Sequence, residues 1–265
     1  MLRAMSWNLW WRFGPWWRRQ PAIARVLADS GADVIGLQEV WVEEDGANQA
    51  EILGRRLGYH VACGPVRFYD GIAFTNAVLS RWPILRHDAA PLPGAAGAPS
   101  HRHLLYAEVA APFGRLPFLT THLDWHFDAS ATRVAQVAAV AKAVDGWRGE
   151  PDRDFPAVLV GDFNAVAGSD EVRMLTGATA PPVKGLVFTD AWAVRGAGAG
   201  HTFSEDNPHL ANATWPNRRI DYVLVSWPRP KPRGSVEACW LAGTEAVDGV
   251  VPSDHYAVVA DLRTA

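Results

Sequence analysis

Val158-Leu159-Val160-Gly161-Asp162-Phe163-Asn164 sets three apolar residues ahead of a glycine, then two polar side chains two positions apart. The apolar run predicts a short buried strand, with Gly161 letting the chain turn at its end. Alternate side chains of an extended chain share a face, so Asp162 and Asn164 are expected to project together from the strand tip. A carboxylate beside an amide suits a hard divalent cation, a phosphate oxygen or an attacking water. The same residue types also make ordinary turns, so the rest of the chain has to decide between a site and a turn.

The bulk properties narrow the field. At 265 residues, with 49% hydrophobic and 20% charged residues, the composition is that of a globular chain with ample core. A formal net charge of -3 gives no global basic field for a long polyanion. Cys63 and Cys239 are the two cysteines; they match no metal spacing and favour free thiols in a reducing compartment. The first residues, Met1-Leu2-Arg3-Ala4-Met5, lack the apolar core of an export signal, and no apolar run is long enough to span a bilayer. A cytoplasmic protein forming one domain over residues 1–265 is the expectation, with the oligomeric state left open.

Outward from the central stretch, strands are expected at Leu2–Trp10 and Asp33–Glu39, joined by a helix over Pro21–Ser30 that Gly31 stops. A second helix is expected from Asn48 to Leu57. Short hairpin strands follow near Tyr59–Gly64, Gly71–Thr75, Ala77–Ser80 and Ile84–Ala89, with Asn76 and Pro83 as breakers. Leu92–Pro99 reads as a surface loop. His101-Arg102-His103 precedes a strand, and neither histidine has a carboxylate partner at metal-ligand spacing. An amphipathic helix is expected over Ser130–Val144, capped by Asp128 or Ser130. Strands near Ile220–Val225, Val236–Ala242 and Tyr256–Leu262 complete the pattern, with a proline-rich loop at Trp227–Gly234.

Polar residues recur where these strands end: Asn8, Glu39, His122, Asp162, Asn164, Asp254 and His255, with Asp221 inside a strand. An ionised carboxylate in a core strand costs several kcal/mol unless paired, so Asp221 is expected to hold a cation or a histidine. Carboxylates without cysteine partners suit Mg2+ or Mn2+ rather than structural zinc. Two histidines supply a base and an acidic contact. Five tryptophans lie between Trp7 and Trp17 with Arg12, Arg18 and Arg19 among the later ones. They make either a plug under a loop or an aromatic wall for a base, a ring or an acyl group. Trp11, Arg12 and Trp125 are the candidate substrate contacts.

Spacing alone does not bring these residues together. Trp7-Asn8, Gln38-Glu39, Thr121-His122-Leu123, Gly161-Asp162-Phe163-Asn164, Arg219-Ile220-Asp221-Tyr222 and Ser253-Asp254-His255 resemble, in order and over nearly the whole chain, the motif series of the endonuclease/exonuclease/phosphatase family. The resemblance implies a four-layered α/β sandwich, two mixed β-sheets face to face with helices outside, and metal-dependent hydrolysis of phosphoesters. It implies Mg2+ (or Mn2+) held by Glu39, with Asn8 and Asp254 on the metal side. Asp162 and Asn164 would orient water and phosphate, His255 would be the catalytic imidazole with Asp221 as its partner, and His122 would contact the phosphate or the leaving oxygen. The general base is left open between His255 and Asp162. Weak basic character favours a small or medium phosphoester, above all a diester, over DNA or RNA. A catalytically inactive binding scaffold is the remaining alternative.

Overall fold

The computed structural model describes residues 1–265 except Tyr69, Pro99, Asn212, Ala213 and Pro228. Pro99 and Pro228, which belong to two of the expected loops, thus lie outside the described residues. Among the described residues the strands are β1 (Leu2–Asn8), β2 (Val34–Glu43), β3 (His60–Cys63), β4 (Ile72–Ser80), β5 (Ile84–Pro91), β6 (His103–Ala111), β7 (Gly114–His122), β8 (Val158–Asp162), β9 (Val187–Asp190), β10 (Asp221–Trp227), β11 (Val236–Ala242) and β12 (Ala257–Leu262). The helices are α1 (Trp16–Ser30), α2 (Gln49–Leu57), α3 (Ser130–Trp147), α4 (Asp170–Thr176) and α5 (Ala191–Arg195).

The strands form two sheets of six, ordered β11-β12-β1-β2-β4-β3 and β5-β6-β7-β8-β10-β9. Each is antiparallel except for one central parallel pair, β1/β2 and β7/β8. A parallel pair needs a crossover, which α1 and α3 provide. The inner faces pack Leu2, Ala4, Val34 and Val78 of the first sheet against Leu105, Phe118, Val158, Val160 and Val223 of the second. Ile23 and Leu27 of α1 and Leu53 of α2 cover the outside of the first sheet. Val137, Val140 and Val144 of α3, with Val172 and Leu175 of α4, cover the second. The layers are therefore helix, sheet, sheet, helix, as the resemblance implies. Among the described residues no helix is long and apolar enough to cross a membrane.

Close approach fixes where the two sheets meet. A Cβ at Gly36 would lie 2.3 Å from Val160 Cγ2, so only glycine admits this contact. Gln38 Nε2 donates to Thr120 Oγ1 across the gap at 2.8 Å. This tie joins the carboxyl end of one parallel pair to the other.

Several boundaries differ from expectation for local reasons. Helix α1 starts five residues before Pro21, which sits inside it, and Gly31 ends it in the left-handed conformation as expected. Asn76 does not break a strand. It lies buried inside β4 and donates to His103 O at 3.2 Å, so a tertiary partner overrides its turn preference. Helix α3 begins at Ser130 with Ala129 at its N-cap position, without the expected side-chain cap. Gly161 makes no turn either. It stays in β8, where an added Cβ would lie 2.1 Å from Thr121 O, so it serves the approach of β7.

Candidate active site

Strand register assembles the site. His122 pairs with Asp162 across β7/β8, and Asp162 pairs with Asp221 across β8/β10. These three side chains stand side by side on adjacent strands. On the other sheet Asn8 ends β1 beside Gln38 of β2. Ser253 Oγ donates to Asn8 O at 2.7 Å and the Trp7 indole N–H donates to His255 O at 2.9 Å. The segment before β12 is thereby pinned so that Asp254 and His255 reach the same point.

Two local features aim the side chains. Asn164 has φ 49° and its backbone N–H donates to Asp162 Oδ1 at 2.9 Å. The expected extended i, i+2 pair is thus a tight Asx turn, and turn and site coincide. Glu39 is not at a strand end: β2 runs on to Glu43, with its register shifted between Leu37 and Val40 and Glu39 at φ 54°. Such a bulge re-aims one side chain without ending the strand, and it turns Glu39 to within 3.4 Å of Asn8 Nδ2.

The electrostatics are concentrated. Asp221 is fully buried, and its Oδ2 lies 2.9 Å from His255 Nδ1. His255 Nε2 in turn lies 3.8 Å from Asp162 Oδ2. Burial works to lower the His255 pKa, but the Asp221, Asp254 and Asp162 carboxylates win and hold it well above the usual histidine value. His122 Nε2 lies 3.4 Å from Asp162 Oδ2 and 4.0 Å from Glu39 Oε1. Burial, with Arg102 and His255 adding positive charge, keeps His122 neutral. Burial and the neighbouring Asp221 charge push Asp162 up to about 6, with His255 opposing. Asp254 is pushed up to about 7 by burial, Glu39 and Asp162, against the pull of His255 and Arg19.

The comparisons agree with this architecture. The model of the endonuclease/exonuclease/phosphatase family matches residues 5–255. The chain belongs to the endonuclease/exonuclease/phosphatase family. That family consists of metal-dependent phosphoester hydrolases. Zebrafish (D. rerio) TDP2, solved with a single-stranded DNA product, superimposes with a TM-score of 0.75 at 22% identity over 98% of this chain and 97% of that one. A Bacteroides vulgatus protein of the same family gives 0.73 at 21% identity over 99% and 98%. At such identities these structures share the fold. Drosophila melanogaster protein angel is 28% identical over 180 residues, 62% of this chain, which spans about half (48%) of that relative's length.

The family's metal finds chemically suitable donors. Glu39, Asp162 and Asp254 crowd negative charge at low exposure: Asp254 feels the repulsion of Glu39 and Asp162, and Asp162 that of Asp221. A hard cation relieves that repulsion. Asp162, Asp221 and His255 also bring ligand atoms within 4.8 Å of one another. In that group, however, His255 Nδ1 is already bonded to Asp221. Asn8, expected on the metal side, stands beside Glu39 and Asp162. Its Oδ1 accepts the Trp10 N–H at 2.9 Å, while its Nδ2 faces Glu39 and Asp162 Oδ2, the latter at 3.0 Å. It braces the carboxylates as a donor.

Glu39, His122, Asp162, Asn164, Asp254 and His255 all line one cleft of about 560 Å³, and Asp221 sits beneath it. Its walls are aromatic. Trp10, Trp11, Phe13 and Phe74 line it as one run of ring contacts, Phe127 and Trp215 as a stacked pair, and Trp125 and Phe203 are the other rings in the lining. Trp11 and Trp125 are thus where a substrate contact requires. Arg12 is not. It pairs with Glu43 and lies between Trp16 and Trp41, 4.2 and 4.6 Å from their ring centroids. Arg19 is fully buried and bonds five backbone carbonyls. The aromatic-basic segment is therefore partly wall and partly the brace behind it.

Sequence reasoning missed Arg102, Phe127 and Trp215. Arg102 lines the cleft, is buried, and leaves Nη1 without a hydrogen-bond partner among the described residues. Its only signal was a cation among residues otherwise read as a strand entry. Phe127 and Trp215 stack at 4.5 Å and 9° from loops 88 positions apart in the numbering, a pairing that no local pattern encodes.

Proposed function

We propose that this chain is a Mg2+- or Mn2+-dependent phosphodiesterase acting on small or medium diesters whose organic groups are flat or apolar. The observation that carries this reading is the buried Asp221–His255–Asp162 array opening into an aromatic cleft. A volume of about 560 Å³ lies within the usual range of roughly 300–1,000 Å³ for small-ligand sites. Two separate groups of rings lining the same cleft as the catalytic residues suit a phosphate with two organic groups better than a monoester.

The division of labour follows from the charges. Asp162, raised to about 6 by burial and the Asp221 charge, is still mostly ionised at neutral pH and is matched to accept a proton from water there. His255, kept cationic by three carboxylates and oriented through Nδ1 by Asp221, presents Nε2–H to the phosphate. Neutral His122 offers a further N–H without adding charge. Asn164 spends one N–H on Leu123 O at 3.2 Å and keeps its second N–H and its oxygen for phosphate or water. Arg102 supplies positive charge from the cleft wall. A divalent cation at Glu39 and Asp254 would neutralise charge on the phosphate and acidify a bound water.

A second reading, a nuclease acting on single strands, draws support from the stacked Phe127–Trp215 pair and from the DNA product bound by the zebrafish structure. Base stacking on such rings is worth about 1–3 kcal/mol per base. The inactive-scaffold reading is disfavoured by the complete catalytic set. The test is hydrolysis of bis-(p-nitrophenyl) phosphate against p-nitrophenyl phosphate with Mg2+, Mn2+ or EDTA, for wild type and Asp162→Asn, beside a single-stranded oligonucleotide. Metal-dependent diester cleavage that is lost in the variant is expected. A monoester preference refutes the diesterase reading, and faster cleavage of the oligonucleotide selects the nuclease.

A further inference from the structure

A second cavity, of about 220 Å³, opens beside the catalytic cleft. Its polar lining is Arg67, Ser100, His101, Arg102 and His103. Phe74, His101 and Arg102 line both cavities and so form the partition between them. Phe74 and His101 meet edge to face with centroids 5.4 Å apart, and the Arg102 guanidinium lies 5.8 Å from the Phe74 ring centroid. Arg102 is only 6% exposed, and its Nη1 makes no hydrogen bond among the described residues. A buried charged donor left unpaired is costly, and an anionic oxygen in either cavity would satisfy it.

Size and charge narrow what such an anion can be. The cavity is smaller than the usual whole-ligand site of roughly 300–1,000 Å³, so it suits one arm of a ligand anchored in the neighbouring cleft. Its lining holds two guanidinium groups, two imidazoles and a serine. Ser100 Oγ accepts the Arg102 backbone N–H at 3.0 Å, which leaves its O–H to donate. A phosphate monoester has three free oxygens to share among these donors, where a carboxylate has two. Burial lowers the His101 pKa and so do Arg102 and Arg67, an independent sign that positive charge converges here.

We infer that this cavity is a second anion subsite, and that the substrate carries a further phosphate beside the scissile diester, received by Arg67, His101 and Arg102. The inference deepens the diesterase reading and rests on it for the placement of the scissile phosphate.

The test is calorimetric binding of thymidine 5′-monophosphate and thymidine 3′,5′-bisphosphate to the full chain with Mg2+. Arg67 is exposed, so Arg67→Ala is expected to fold. In wild type the bisphosphate should bind at least about ten-fold tighter, with the gap narrowing as salt screens it. In Arg67→Ala the gap should shrink to about three-fold or less. Equal affinities, no binding of either nucleotide, or a gap untouched by Arg67→Ala would each overturn the subsite. The 5′-p-nitrophenyl esters of the same two nucleotides then report turnover separately. A binding gap without hydrolysis of either ester would keep the subsite and sink the diesterase reading.

Discussion

Arg19→Lys tests how the aromatic wall is held. Arg19 Nη1 donates to Leu9 O and Pro252 O, both at 2.8 Å, and Nη2 to Trp10 O, Trp11 O and Phe13 O at 2.8, 2.9 and 3.1 Å. The segment it gathers is strained: Trp10 and Trp11 have φ of 57° and 33°, a region where bulky side chains cost about 1–3 kcal/mol each. Lysine keeps the charge but brings its donors to a single point, so at least two of these carbonyls lose their partner. Hydrogen bonds to charged groups are worth about 1.5–3 kcal/mol each, which puts the expected loss of stability at about 3 kcal/mol or more. Urea unfolding reads this as a lower midpoint at unchanged slope. Because three of the five carbonyls belong to Trp10, Trp11 and Phe13 of the cleft lining, while Asp162 and Asp221 rest on strands, KM for an aromatic diester should rise more than kcat falls. A midpoint within error of wild type, or a loss confined to kcat, would refute the account of Arg19 as the brace of this wall.

Asp221→Asn and His255→Ala should each lower kcat by about 10²- to 10⁴-fold, and the double variant should be little worse than the poorer single one; additive losses in steady-state kinetics would show that the two act separately. Gly161→Ala should cost at least about 3 kcal/mol, because its Cβ would lie 2.1 Å from Thr121 O within the β7/β8 ladder; a melting temperature equal to wild type would refute the close-approach reading. Burial lowers the His103 pKa to about 4, with Arg102 adding to the shift. Unfolded histidine titrates near 6.5, so this group's stability contribution is complete above that pH and is lost as pH falls towards 4. Between pH 7 and pH 5 the loss amounts to about 2 kcal/mol; comparing unfolding of wild type and His103→Gln at both pH values isolates it, and parallel pH dependences would exclude His103 as the cause. Removing divalent metal with EDTA should abolish turnover while the far-ultraviolet dichroism persists, since the two sheets are built on apolar packing; loss of the fold with the metal would contradict that.

Strand periodicity and helix-ending glycines act over a few residues, and those are the features the sequence stated correctly. Val158–Val160 is a core strand, Gly31 and Gly58 end helices α1 and α2 in the left-handed conformation, and Asp221 has the histidine partner that its burial demanded. The order of polar residues along the chain was enough to name Glu39, His122, Asp162, Asn164, Asp254 and His255, because each belongs to a short motif. Three things were decided only by tertiary structure. The bulge at Glu39 depends on how β2 pairs with β4, and a strand's own residues do not state its register. The role of Arg12 depends on Trp41 and Glu43 of β2 and on Trp16 of α1, which meet only in the fold. The cleft's aromatic lining, and the cation-lined cavity behind Phe74 and His101, join loop residues to strands distant in the sequence. Local chemistry is written in local sequence, whereas a cavity is the space between distant segments and exists only once the sheets have closed on each other.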